Sequence, residues 1–425
     1  MVDLRRALIL ASIGLISLNL AAQTDETIFR EFQFDFATPG ARANAMGRAF
    51  VGLADEGTIS YNNPAGLGVL QRPEFSMEFR NSTVQFDVLQ ENDSFRLVSG
   101  SPSAFVLDSN QLGFASFSLP LKKVNLSVFF INHLDYQRFP NPEQTRWQNR
   151  VLPYEFSYFA DHKVDIRLDT FGLSAGRSFG AWSFGLVAGQ SNLKLDYTYK
   201  TILFSDFLNL IEPVESEAKA DLSGFNWVLG SLYEFSPRWK WGFVYKKQPA
   251  FHYQEKVLNP QFPGPEKQPY NITFKVPDSI NTGISFQASD FFTVVGDLDF
   301  IQYSQLGAGN LTLISGDQFT PEDYRIPDAL EIHLGAEYLW PVRNHILAFR
   351  GGWFNDPDHK TRFVGQTESE LGAIQDFIFN TGSAKDNRGW TAGLGYVYRN
   401  KVQVDFAWVK SDRFDWLVTS LLYRF

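Results

Sequence analysis

No cysteine occurs in the 425 residues, which excludes disulfides, zinc–thiolate sites and a lipid-modified N-terminal cysteine. Charge is scarce too: charged residues are 20% of the chain, and the formal net charge is -9. Without a concentrated basic face to neutralise phosphates, nucleic acid is excluded as a partner. Beyond residue 22 no apolar run approaches the roughly 18 residues that a membrane helix needs. What is abundant is aromatic surface, with 41 Phe, 16 Tyr and 10 Trp. Aromatic richness without helical spans points to a transmembrane β-barrel, whose wall carries aromatic girdles at both membrane interfaces.

The first residues read as an export signal. Arg5 and Arg6 precede an apolar run from Ala7 to Leu18, and small residues follow at Ala21 and Ala22. That pattern predicts a secretory signal peptide over 1–22, cut after Ala22. Residues 23–72 form a second segment without sustained alternation, rich in small residues from Thr38 to Leu70. Short helical turns are expected around Ala41 to Val51, where Ala43, Met46, Ala49 and Phe50 recur at helical spacing. The expected stop is Asn62 to Gly66, because a residue before proline is pushed out of the helical region. Lying before the first strand, the segment is a candidate hatch, a plug inside the lumen.

Alternation then takes over, and residues 73–425 are assigned to the barrel. Val402, Val404, Phe406 and Trp408 share one face while Gln403, Asp405 and Ala407 share the other. Leu330 to Tyr338, Trp390 to Tyr398 and Ile280 to Ala288 repeat the pattern. About fourteen strands are expected, near 73–89, 103–119, 122–136, 163–180, 181–199, 218–236, 238–256, 270–288, 290–303, 328–340, 344–355, 387–399, 401–411 and 413–425. Connections after even-numbered strands are short and most of the others are long. Outer-membrane barrels alternate short periplasmic turns with long external loops, which places both termini in the periplasm. The last strand ends on Phe425 with Leu417, Thr419, Leu421 and Tyr423 on its face, similar to the C-terminal signal of outer-membrane proteins.

Two irregularities stand out. In the fifth strand the apolar phase passes from Trp182, Phe184 and Leu186 to Leu193, Leu195, Tyr197 and Tyr199, so a bulge is expected near Gly189 to Asn192. After that strand Phe204, Phe207, Leu208 and Ile211 crowd into an expected external loop. Such a patch suits first capture of a hydrophobic ligand or packing against neighbouring loops. No enzyme is expected. Gly172-Leu173-Ser174-Ala175-Gly176 matches a nucleophile elbow, but it lies inside an alternating strand and not at a strand–turn–helix junction. The six His show no metalloprotease pairing, so neither a metal nor another cofactor is implied. Asp297 and Asp299 share a strand face and are read as groups that bind plug or lumen water.

Together, the signal peptide, the small-residue segment with Ala54-Asp55 and Asn63-Pro64-Ala65, the fourteen strands and the terminal Phe resemble the FadL/TodX family of outer-membrane hydrophobic-compound transporters. Val276-Pro277-Asp278, Ile326-Pro327-Asp328, Gly351-Gly352-Trp353 and Gly393-Leu394-Gly395-Tyr396 look similar to later features of that family. The resemblance implies a bacterial outer-membrane barrel that passively carries long-chain fatty acids or other hydrophobes. A hatch blocks its lumen, and Asn63, Pro64 and Ala65 are hatch residues needed for transport. Its partners are then a hydrophobic small molecule and outer-membrane lipid, and a monomer is expected. The run from Pro39 to Gly47 with Asn-Pro-Ala-Gly-Leu also looks like PorV-type barrels, which hand exported proteins to a secretion system; that alternative stays open.

Overall fold

The computed structural model describes residues 36, 38–86, 89–100, 105–138, 143–152, 154–205, 210–258, 268–306, 321–380 and 385–425. The expected signal peptide, with Phe207 and Leu208, lies outside them.

Fourteen antiparallel strands close into one barrel. They are β1 (Glu74–Phe86), β2 (Phe105–Leu119), β3 (Asn125–Arg138), β4 (Glu155–Phe179), β5 (Trp182–Ser205), β6 (Leu210–Ser236) and β7 (Trp239–Lys247), then β8 (Ser279–Ser289), β9 (Phe292–Ile301), β10 (Ala329–Val342), β11 (His345–Asp356), β12 (Asn387–Tyr398), β13 (Val402–Ser411) and β14 (Phe414–Arg424). Each pairs with the next, and β14 returns to β1 through Glu74↔Arg424 to Val84↔Phe414, which closes the barrel. Tight turns follow the even-numbered strands, such as Gly180-Ala181 and Arg343-Asn344. This is the turn end of the barrel; the longer connections gather at the loop end.

The alternation maps onto two environments. Leu330, Leu334 and Tyr338 are exposed on the outer face of β10, while Glu331, His333 and Glu337 are buried on the inner face. Exposed Trp182, Trp239, Trp340, Tyr423 and Phe425 crowd the turn end of the outer surface. An outer band of this kind replaces water with lipid and has no counterpart on a soluble domain.

The middle strands run longer than expected. β4, β5 and β6 have 25, 24 and 27 residues, more than the 9–11 or so that cross a bilayer. Their outer faces change partway up. On β4 the apolar Phe171 and Leu173 give way to Asp169, Arg167, Asp165 and Lys163. Across the three strands, Lys163 and Lys219 both pair with Asp196, and Lys200 pairs with Glu215. The strands therefore leave the lipid and continue as a freestanding wall. This removes the expected bulge at Gly189 to Asn192. β5 pairs without a register shift on both sides, and its odd-numbered residues from Ser183 to Tyr199 face inward. The chain phase never slips. Below Gly189 the apolar side faces lipid, and above it the apolar side faces the interior. For the same reason Phe204 belongs to β5 and Ile211 to β6, and only 206–209 separate the two strands.

Of the four further strands in the sheet, Ala250–Leu258 and Gln268–Lys275 pair as a hairpin that prolongs β7 and β8 beyond breaks at Pro249 and Pro277, and Phe95–Ser99 and Glu143–Asn149 pair beside the upper part of β4. Proline cannot donate to the ladder, so the breaks fall there. Asp278 fastens them by accepting from Lys247, Lys275 and the Gln248 amide at 2.6, 2.7 and 2.8 Å.

Candidate functional site: a plugged lumen beside an open seam

Residues 38–72 lie inside the turn-end half of the barrel. The expected helical turns are α1 (Ala41–Ala45) and α2 (Ile59–Asn62), with a 3-10 turn over Pro64–Val69. Ala43, Met46, Ala49 and Phe50 are at most 1% exposed. So compact a segment fits because the wall is shaved to glycine where it passes. A Cβ at Gly185 would collide with the Pro64 carbonyl group, one at Gly335 with the Met46 carbonyl, and one at Gly352 with the Gly47 amide. Gly176, Gly230 and Gly242 meet Pro64, Asn63 and Val51 in the same way. Ser174 sits in this inner row inside unbroken β4, so the elbow motif lacks the turn that would expose a nucleophile.

Polar groups of the wall then take up the plug's backbone. Asp297 accepts from the amides of Phe50 and Val51 at 2.5 and 2.7 Å, as a plug-binding carboxylate should. Asp299 lies 3.8 Å from His333, whose Nδ1 is 2.9 Å from the Gly47 carbonyl. Asn63 donates to the carbonyls of Val51 and Ser231 at 2.9 and 3.2 Å while its Oδ1 accepts from the Ala65 amide at 3.2 Å. Asn63, Pro64 and Ala65 are thus brought together as one buried turn against β4 to β7.

An ionic network crosses the same level. Arg42 makes a bidentate pair with Glu337 at 2.9 and 2.8 Å and also binds Asp55 at 2.7 Å. Arg350 binds Glu337 at 2.6 Å and Asp405 at 2.7 Å. Gln403 links Asp405 to Glu56, and Arg424 links Gln403 to Glu74. Burying so many charges is tolerated only because each has a partner. Between plug and wall at the turn end lies a cavity of about 170 Å³, bordered by Asp55, Arg72, Glu74 and Arg424. It is polar and unsuited to a hydrophobe.

The loop-end half is different in kind. Leu193, Leu195, Tyr197, Tyr253, Phe274 and Ile301 belong to one buried apolar cluster there, with Phe36 packed against it. A second cluster covers the mouth, where Phe95 and Trp147 pack on Ile374 and Phe377 of α3 (Glu370–Asn380).

Between the halves the wall is open on one side. β2 and β3 pair only from Leu119↔Leu126 to Phe114↔Ile131. Beyond that point β2 stays paired with β1 to Phe86↔Phe105, and β3 with β4 to Arg138↔Val164. The strands diverge because each carries an extra residue at that level, Gly113 in β2 and His133 in β3, where the outer ladders shift register. His133 turns inward, its ring 5.2 Å from that of Tyr61 in α2 and 6.5 Å from Phe36. The seam thus opens beside the plug and at the foot of the apolar cluster. Nothing local in the sequence reported it, since the signal is pairing that stops.

The likeness to known proteins follows the same outline. Residues 193–361 match the family model described as outer membrane protein transport protein (OMPP1/FadL/TodX). The fold is a FadL/TodX-type barrel. Among solved structures, a Pseudomonas aeruginosa FadL homologue is 10% identical with a TM-score of 0.62, over 92% of this chain and 99% of its own. The P. putida toluene transporter TodX is 12% identical with a TM-score of 0.55, over 92% and 99%. The CymD monoaromatic hydrocarbon channel is 16% identical with a TM-score of 0.53, over 92% and 98%. No curated protein sequence matches the chain. The family model is described as one of outer-membrane transport proteins, and two of the three structures are named for toluene or monoaromatic hydrocarbons.

Proposed function

We propose that this FadL/TodX-type barrel admits hydrophobic compounds, long-chain fatty acids or smaller hydrophobes, passively across the outer membrane. In this reading the turn end and both termini face the periplasm, and the loop end faces outward. The ligand enters the loop-end interior, where apolar contacts replace water at about 25 cal/mol per Å² buried. The plug, with Asn63, Pro64 and Ala65 as its wedge, closes the polar route below, and the ligand leaves sideways through the seam into the bilayer. No energy source is needed for a solute running downhill. Phe204, exposed near the top of the freestanding wall, serves first capture in this reading, with Ile211 on the next strand.

The observation that carries this reading is the interrupted β2–β3 pairing beside a plug that polar bonds hold in place. The test is to delete His133, which removes the extra residue of β3 and lets pairing with β2 continue. Cells expressing the deletion should take up labelled oleate or toluene at least fivefold more slowly than cells with the unaltered chain, while the barrel still shows heat-modifiable gel mobility. Undiminished uptake would rule out the sideways route.

A further inference from the structure

The inner faces of β3 to β6 carry apolar side chains both below and above the level of the seam. Below lie Phe129, Ile131, Val187 and Val228, and above lie Leu168, Leu193 and Tyr136. Between them runs one polar row. His133 Nε2 is 3.0 Å from Thr170 Oγ1, which is 2.7 Å from Ser191 Oγ. Those three use one another as partners. Asn226, on the inner face of β6, does not share in this. It is 0% exposed, and neither its Oδ1 nor its Nδ2 has a hydrogen-bond partner. A buried amide left without partners on both atoms costs a few kcal/mol, and such groups mark places where another molecule completes the bonding.

The position of Asn226 says which molecule. Its partner across the ladder is Gly189, and a Cβ there would collide with Asn226 Oδ1 and lie 3.1 Å from Thr170 Cγ2. Asn226 and Thr170 are therefore neighbours, and Thr170 touches His133 at the seam. On the other side the Gln248 amide donates to Tyr61 Oη at 2.8 Å, and Lys246 Nζ stands 4.9 Å from the Tyr61 ring. Lys246 is within Coulombic reach of Asp297, Asp299 and Glu331, three acidic groups that work against an anion at this row. An amide offers one acceptor and two donors, which suits a neutral group that both donates and accepts.

We infer that Asn226, with Thr170 and His133 beside it, forms a headgroup subsite for hydrophobes that carry one uncharged hydrogen-bonding group, such as a hydroxyl. The apolar remainder lies against the Leu168–Leu193 side, and a bare hydrocarbon leaves the amide unsatisfied. This rests on the hydrophobe-channel reading and narrows its substrate class.

The test compares two probes of the same ring size, toluene and 4-methylphenol, titrated against the full barrel in lipid nanodiscs by intrinsic fluorescence, with empty nanodiscs as the partition control. The unaltered protein should bind 4-methylphenol about tenfold more tightly than toluene, the ratio expected from one buried hydrogen bond. In Asn226→Leu the ratio should fall to about one, with toluene binding retained. Asn226→Ala, which adds no volume, takes its place if the leucine variant does not assemble. Equal affinities in the unaltered protein, or an unchanged ratio in the variant, would overturn the subsite while toluene binding keeps the channel reading intact. Binding of neither probe would overturn the channel reading and the subsite with it.

Discussion

The two halves of the lumen are built from the same strands yet solve opposite problems. At the turn end the wall meets a folded piece of its own chain, and the contact is glycine against backbone, with carboxylates and arginines crossing between them. At the loop end the wall meets tyrosine, leucine and phenylalanine. Backbone against backbone leaves no room for a guest and demands that every amide and charge be satisfied. Side-chain walls of branched and aromatic residues demand only volume, which a hydrophobe can share. The seam falls where the one kind of interior gives way to the other, which is why the function proposed above gives a ligand held there a lateral way out over a closed floor.

That contrast can be broken most severely at Arg350. It is the only described cation that bonds to both Glu337 and Asp405, and Arg350→Met leaves Asp405 buried with only the neutral Gln403 and Glu337 with only Arg42, at a cost of about 3 kcal/mol. The plug should loosen, so cells should become sensitive to a large polar antibiotic, while toluene binding by the loop-end half stays unchanged. A parallel loss of toluene binding would mean that the halves are not independent. Gly185→Val attacks the same floor through shape. The added side chain collides with the Pro64 carbonyl, at about 1–3 kcal/mol, and plug residues should become accessible to protease from the turn end. Unchanged digestion would show that the wall gives way before the plug does.

The smallest effect is expected at the loop end. His359 stacks on Tyr303 with ring centroids 3.7 Å apart. Burial works against its charge, but the Asp356 carboxylate and the Pro357 carbonyl outweigh this and raise its pKa above the ordinary value. A raised histidine pKa adds stability that is complete below the ordinary value of about 6.5 and is lost as pH climbs through the raised value. Proteolysis of the 357–361 connection should therefore quicken a few-fold, roughly, between pH 6 and pH 9. His359→Gln should flatten that dependence while leaving the turn-end half untouched. A flat profile in the unaltered protein would remove His359 from the cap's stability.

Much of the wall was legible because a strand with lipid on one side and lumen on the other writes period-two alternation into the residues, as Val402 to Val409 do. The count of fourteen and the turn pattern followed from that. The reach of β4 to β6 did not, because above Phe171 and Phe225 water replaces lipid outside and the polarity of the two faces inverts without any change of phase. Such an inversion looks like a bulge to anyone reading one strand alone. The Asn-Pro-Ala turn could be picked out by its punctuation, but not its seat, since Gly176, Gly185 and Gly230 are remote from it in the chain and adjacent only once the barrel has closed.

By itself the sequence determined a lipid-facing barrel of fourteen strands and a small-residue segment ahead of it, since both are local patterns that any neighbours must respect. Tertiary structure alone decided where the plug is gripped, where the wall stays open and which inner residue is left unsatisfied. Each of these depends on which strands become neighbours. A closed barrel sets Gly185 against Pro64, ends the β2–β3 ladder at Phe114 and Ile131, and buries Asn226 without partners, and no stretch of chain contains any of those meetings.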